Sequence, residues 1–396
     1  MVIPVTNLAL PRTVGSNRRG RPRPLRVAPT GYRQVVVALA LLALPGPAVL
    51  TAQDVSPDRP VSATERDTVI HGILVRLIEQ YVFPDTAEAM ARNIRARQQR
   101  GEYDRITSGR VLADSLTAHL QSVSRDLHLR VRYSATPLPQ PGAGPGPTPE
   151  DRERALRQAR ERNFGFERVE RLDGNVGYLE IRGFGFGPQQ VEETAAAAFT
   201  FLGQVDALII DVRRNGGGSP GMVALVSSYL FGPEPVHLNS LYWRPTDRTE
   251  DFYTRAEVSG ARFGPDKPLY VLTSRRTFSA AEEFTYNLQS RQRAVIVGDT
   301  TGGGAHPGGV VRVTDHFGVW IPRGRAINPI TGTNWEGIGV RPDVAVSSDD
   351  ALTMAHLHAL RRLRDAASDP ERRQDLQRLI TDLEAHPCCR PDARGR

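Results

Sequence analysis

The chain of 396 residues has almost no lysine: Lys267 is the single one, and the remaining cations are arginines. A lysine general base is therefore available only inside Pro265-Asp266-Lys267-Pro268. There are two cysteines, Cys388 and Cys389, adjacent and close to the end. Neighbouring cysteines meet disulfide geometry poorly. No CxxC and no His/Cys cluster suggests a metal site, so no metal and no cofactor is expected. No apolar run reaches the ~20 residues that a membrane-spanning helix needs. No glycine cluster is followed by Lys-Ser/Thr, which excludes a P-loop. No internal repeat is present.

Acidic residues are missing from one segment altogether. Residues 1–52 hold seven arginines (12, 18, 19, 21, 23, 26, 33) and no Asp or Glu. They account for the whole formal charge of +7, so the remainder is neutral and no nucleic-acid partner is expected. The arginines precede the apolar run Val35–Leu44, then Pro45-Gly46-Pro47, then Leu50-Thr51-Ala52. The order charged, apolar, small is that of an export signal cleaved before Gln53. The expected location is periplasmic or secreted, with membrane contact only through an uncleaved signal segment. The oligomeric state is not legible.

Spacing divides the rest. Residues 53–135 form a helical N-terminal domain, with Val69, Ile70, Ile73, Leu74 and Leu77 on one face and Leu112, Leu116 and Leu120 on another. His128–Tyr133 alternates like a strand. Residues 136–165 hold a Pro/Gly-rich linker and a charged helix. Residues 166–350 alternate strands and helices, which indicates an α/β sheet with crossovers. Residues 351–396 form a C-terminal helix and tail.

Chemistry concentrates in two blocks. The apolar run Ala207–Ile210 leads through Asp211-Val212-Arg213-Arg214-Asn215 into Gly216-Gly217-Gly218. The run Leu269–Leu272 leads to Thr277-Phe278-Ser279-Ala280-Ala281-Glu282. Ser279 stands at a helix start, either as a nucleophile or as an ordinary N-cap whose capping box Glu282 completes. The amides of Gly216 or Gly217, paired with that of Ala280, could form an oxyanion hole. A serine nucleophile needs a base. His128 and His306 are the candidates, and Glu336 is a carboxylate able to orient an imidazole. With a histidine base, kcat/KM is expected to rise through a pKa near ~6.5.

These blocks, with Gly177-Tyr178-Leu179, Val297-Gly298-Asp299-Thr300-Thr301-Gly302 and Gly339-Val340-Arg341-Pro342-Asp343, resemble the tail-specific (carboxyl-terminal processing) protease family. The similarity is to its branch without a PDZ insert, with interphotoreceptor retinoid-binding protein and the tricorn core. It covers roughly residues 120–350 in order. It implies a ClpP/crotonase-like α/β core with a small helical N-terminal part. In the processing proteases the serine pairs with a lysine whose place falls at or near Gly304 here, so the dyad is absent. The tricorn pattern instead assigns the base to His128 and its support to Glu336, while the assisting serine before the histidine is replaced by Leu127. The resulting expectation is an exported serine endopeptidase acting on peptide or protein substrates through Ser279, with His306 lining the pocket or replacing His128. The alternative is a non-catalytic module that binds an apolar ligand or a peptide on the same fold.

Overall fold

A computed structural model describes residues 58–139 and 148–386. The proposed export segment, part of the Pro/Gly linker, and Cys388 and Cys389 lie outside the described residues.

The chain opens with helices α1 (Ala63–Gln80), α2 (Pro84–Gln99) and α3 (Gly109–Ser124), then strand β1 (Arg130–Tyr133) and helix α4 (Pro149–Glu161). Next come β2 (Phe166–Leu172), β3 (Val176–Ile181), α5 (Pro188–Phe201), β4 (Ala207–Asp211), α6 (Pro220–Ser228), β5 (His237–Trp243) and β6 (Arg248–Tyr253). They are followed by β7 (Leu269–Thr273), α7 (Ala280–Ser290), β8 (Val295–Gly298), β9 (Gly308–Arg312), β10 (Phe317–Pro322), β11 (Gly324–Ile327) and β12 (Val344–Ala345). Helices α8 (Ala351–Ala366) and α9 (Pro370–Ala385) close the described chain. Local chemistry sets many of these boundaries. The hydroxyls of Ser62 and Ser108 accept N–H groups of the first turns of α1 and α3, and proline stands in the first turn of α2, α4, α5, α6 and α9.

The central sheet has the order β12-β8-β7-β4-β3-β2, parallel except for β2. Strand β4 is buried throughout, as the sequence Ala-Leu-Ile-Ile suggests for a parallel strand covered on both faces. Period-2 geometry sends Leu208 and Ile210 to one face, where α5, α6 and α7 pack. Ala207 and Ile209 go to the other face, against α8 and α9. The core is thus the expected α/β sheet with helices, and a C-terminal helical pair covers one face.

The N-terminal part is not purely helical. Strand β1 pairs with β10, and β10 with β9, so a hairpin from late in the chain completes a three-stranded sheet. Phe317, Val319 and Ile321 of β10 share one apolar core with α1, α2 and α3. That pairing carries the turn between α3 and β1 to the segment that follows β8. A further antiparallel sheet, β11-β5-β6, lies outside the sequence expectation. Among the described residues no helix is long and apolar enough to cross a membrane.

Candidate active site

The two motif blocks meet at the carboxyl edge of neighbouring strands β4 and β7, where parallel sheets commonly place ligands. Beyond β4, buried Asp211 accepts from Tyr178 Oη at 2.7 Å and from the Arg213 backbone N–H at 3.0 Å. Asp211 therefore braces the glycine turn. The turn is stitched to the loop after β7. Ser274 Oγ donates to Arg213 O, Thr277 Oγ1 to Val212 O at 2.9 Å, and Phe278 N to Asn215 O at 3.1 Å. These bonds bring Gly217 against the start of α7. A Cβ on Gly217 would stand 2.7 Å from Ser279 Cβ and 3.0 Å from Ala280 N, and its φ of +108° also calls for glycine.

Ser279 has φ 54° and ψ −122°, a conformation natural to glycine and strained for serine. The strain holds the residue at a sharp turn between the β7 loop and α7, half-buried rather than folded into the core. The expected oxyanion donors differ in their commitments. Gly217 N–H already donates to Asn215 Oδ1 at 2.9 Å. The N–H groups of Gly216 and of Ala280, the first residue of α7, make no hydrogen bond within the described chain. Ala280 also stands at the positive end of the helix.

Glu282 does more than complete a capping box. It is fully buried, and its Oε2 accepts from Ser279 N at 2.9 Å and Gly304 N at 2.8 Å. Its Oε1 accepts from Gly303 N at 2.6 Å and Thr301 Oγ1 at 2.5 Å. Burial pushes the carboxyl pKa up, and the four donors oppose that shift. One side chain thus fixes the serine turn to the loop after β8. Sequence reasoning read this residue as a cap alone; the signal available was its coincidence with a glycine-rich partner loop.

His128 reaches the same place. Its ring packs on Phe278, the residue before Ser279, with centroids 4.6 Å apart. A Cβ on Gly304 would meet the Phe278 ring and come within 2.7 Å of His128 Cε1. The space that a side chain at position 304 would need is therefore held by the Phe278 ring and by the imidazole packed on it. Lys267 sits just before β7, at the opposite end of that strand, with Nζ on Gly203 O at 3.0 Å. His128 Nδ1 is buried without a hydrogen-bond partner. Burial pulls the imidazole pKa down to about 4, partly offset by the charge of Asp126.

The other expected contacts are rearranged. The carboxylate expected on His128 lies against His306 instead: Glu336 Oε2 is 3.4 Å from His306 Nδ1 and accepts Ala305 N–H at 2.5 Å. Glu336 Oε1 is buried and unpartnered. Burial and the charge of Asp126 raise the Glu336 carboxyl to about 7. His306 is buried and bonded through Nδ1 to Asp126 Oδ2 at 2.8 Å. Asp126, fully buried and absent from the sequence expectation, also accepts Tyr81 Oη at 3.2 Å and His128 N at 3.0 Å. Asp126, His306 and Glu336 are the described side chains gathered closely enough for a cation, with ligand atoms within 4.8 Å. The 2.8 Å separation is that of a charge-assisted hydrogen bond.

Fold and site together define an α/β protein with a loop-built centre at the carboxyl edge of its sheet. Residues 175–346 match Peptidase family S41, and residues 63–161 match the N-terminal domain of Peptidase_S41 in eukaryotic IRBP. The chain therefore carries a peptidase family S41 domain preceded by the N-terminal domain that accompanies it. It is 24% identical over 232 residues to the Tricorn protease of Thermoplasma volcanium, covering 55% of this chain and 18% of that protein. It is 27% identical over 173 residues to the Carboxyl-terminal-processing protease of Synechocystis, covering 43% of this chain and 38% of that one. The chain thus spans well under half the length of these relatives. In fold it resembles a candidate peptidase of Parabacteroides merdae, with TM-score 0.52 and 18% identity over 77% of this chain and 99% of that one.

Proposed function

We propose that the chain is an exported serine endopeptidase that cleaves peptide bonds through an acyl-enzyme on Ser279. The observation that carries this reading is the packing of His128 on Phe278, in the space that a side chain at Gly304 would fill, one residue from Ser279. In this reading Ser279 Oγ attacks the carbonyl carbon while His128 Nε2 accepts its proton. The same imidazole then returns the proton to the leaving amine, and a water molecule activated by it releases the acyl group. The developing oxyanion is held by the Ala280 amide together with that of Gly216; one such donor is worth about 3 kcal/mol of barrier. The Asn215 bond to Gly217 keeps the glycine turn in shape beside the serine.

A pKa near 4 leaves His128 neutral and ready to accept a proton at neutral pH. Its imidazolium must then be stabilised when it forms. The charge of Asp126 contributes, since it raises the His128 pKa. Glu336 pairs with His306 and leaves His128 Nδ1 unpartnered, so its support of the base runs through the Gly304-Ala305 segment that both residues border. A fluorophosphonate probe tests the reading. Wild type should be labelled at Ser279 and should hydrolyse unstructured peptides, and Ser279→Ala should do neither. A folded wild type that is neither labelled nor active would leave the fold with a binding role.

A further inference from the structure

We propose that Asp126 and His306 are positioning residues that hold the His128 base, with His306 acting as a hydrogen-bond donor rather than as a base. The inference rests on the reading of Ser279 and His128 given above. It starts from what holds the His128 ring. Neither a carboxylate nor a carbonyl meets its Nδ1, so the ring is held by the Phe278 face and by the turn that carries it. That turn is shaped by Asp126, whose Oδ1 accepts the His128 backbone N–H two residues on, an Asx turn. The other oxygen of Asp126 accepts from His306 Nδ1 and from Tyr81 Oη. An ionised carboxylate only accepts, so Nδ1 of His306 carries the proton.

The contact joins distant parts of the chain. Asp126 stands between α3 and β1, Tyr81 just after α1, and His306 between β8 and β9. His306 is also packed edge-to-face on Phe83 at 5.2 Å. Through Ala305 and Glu336 the same cluster touches the segment whose Gly304 makes room for His128. The base and the cavity that admits it are thus set by one buried network, and His306 lies between two carboxylates. Its removal would leave Asp126 and Glu336 facing each other without the donor that lies between them, each keeping only its other bonds. Like charges in a buried site oppose each other, and the turn under His128 would loosen.

Asparagine at position 306 offers an N–H near the place of Nδ1 but cannot take a proton, so it separates positioning from base catalysis. For Asp126→Asn and His306→Ala, kcat per site titrated with fluorophosphonate should fall about 100-fold, as for an ~1 Å misplacement, with KM within about threefold. His306→Asn should recover kcat to within about fivefold of wild type. Counting titrated sites removes any loss of folded protein from the comparison. Two outcomes overturn the proposal: His306→Ala with wild-type kcat, or His306→Asn as inactive as His306→Ala. A second readout does not need activity. A low-field Nδ1–H resonance of His306 should appear in wild type and in Ser279→Ala and vanish in Asp126→Asn. Its absence from wild type overturns the clamp even if the chain proves to have no hydrolase activity, and inert wild type with the resonance present overturns the nucleophile reading alone.

Discussion

Gly304→Ala adds one methyl group at the position packed against Phe278 and the proposed base His128. The backbone there is not in the left-handed region, so alanine meets no conformational penalty. The new Cβ would lie 2.7 Å from His128 Cε1 and against the Phe278 ring. Ordinary carbon contacts begin near ~3.5 Å, so the imidazole must withdraw by roughly 0.8 Å and the Phe278 ring, met at 2.3 Å, by roughly 1.2 Å. The backbone of Phe278 is held by its bond to Asn215, but neither its ring nor the buried nitrogen of His128 is hydrogen-bonded, so the two packed rings move together. A displacement of ~1 Å at a reacting group costs on the order of 100-fold in rate, or about 2.7 kcal/mol of barrier. Overpacking costs about 1–3 kcal/mol of stability, and alanine recovers part of it, about 0.4–1 kcal/mol, by restricting the unfolded chain. The expected result is a folded protein with a small drop in Tm and a loss of kcat/KM near two orders of magnitude, with parallel slowing of fluorophosphonate labelling. Adding Phe278→Ala should restore part of the rate by opening the space. A Gly304→Ala variant within about threefold of wild type would refute the argument, because the base would then not depend on this cavity.

Ser279→Gly should abolish labelling yet raise Tm relative to Ser279→Ala, since glycine relieves a strain of about 1 kcal/mol at φ 54°, ψ −122°; equal melting temperatures would remove strain from the account. Glu282→Gln should destabilise the protein by about 3 kcal/mol in denaturant titration, because an amide nitrogen must face backbone N–H donors that now meet an oxygen. The acid limb of kcat/KM should fall near pH 4, where burial has lowered His128, and a limb near 6.5 would mean an unperturbed base. Glu336 titrates in the opposite sense. Its folded pKa, raised to about 7, makes the folded state hold the proton more tightly than the unfolded chain. That stability is present below the ordinary value of 4.5 and is lost as pH rises to about 7. Tm measured across this window should fall in wild type and fall less in Glu336→Gln.

The sequence alone determined what local chemistry fixes. Branched runs before polar breaks located β4 and β7, three-to-four spacing located α1 and α3, and serine before Ala-Ala-Glu located the start of α7. Bringing Ser279 and the glycine turn together took the strand order, in which β4 and β7 are parallel neighbours with their carboxyl ends at one edge. Only the tertiary structure decided which histidine packs on the residue before Ser279 and which groups each carboxylate meets. The α3–β1 turn reaches the centre because β1 pairs with β10, a strand nearly two hundred residues later. Glu336 was legible as a carboxylate near the end of the core, yet its nearest histidine is His306, and Asp126 carries the contact to His128. Glu282 was legible as a cap, while its bonds to Thr301, Gly303 and Gly304 depend on a loop that approaches from the neighbouring strand. Hydrogen bonds and steric fit act over about 3 Å, whereas sequence patterns report only which face of an element is buried. The packing of His128 against Phe278 and Gly304 was therefore not legible in the sequence, because it is set at a distance that no spacing in the chain encodes.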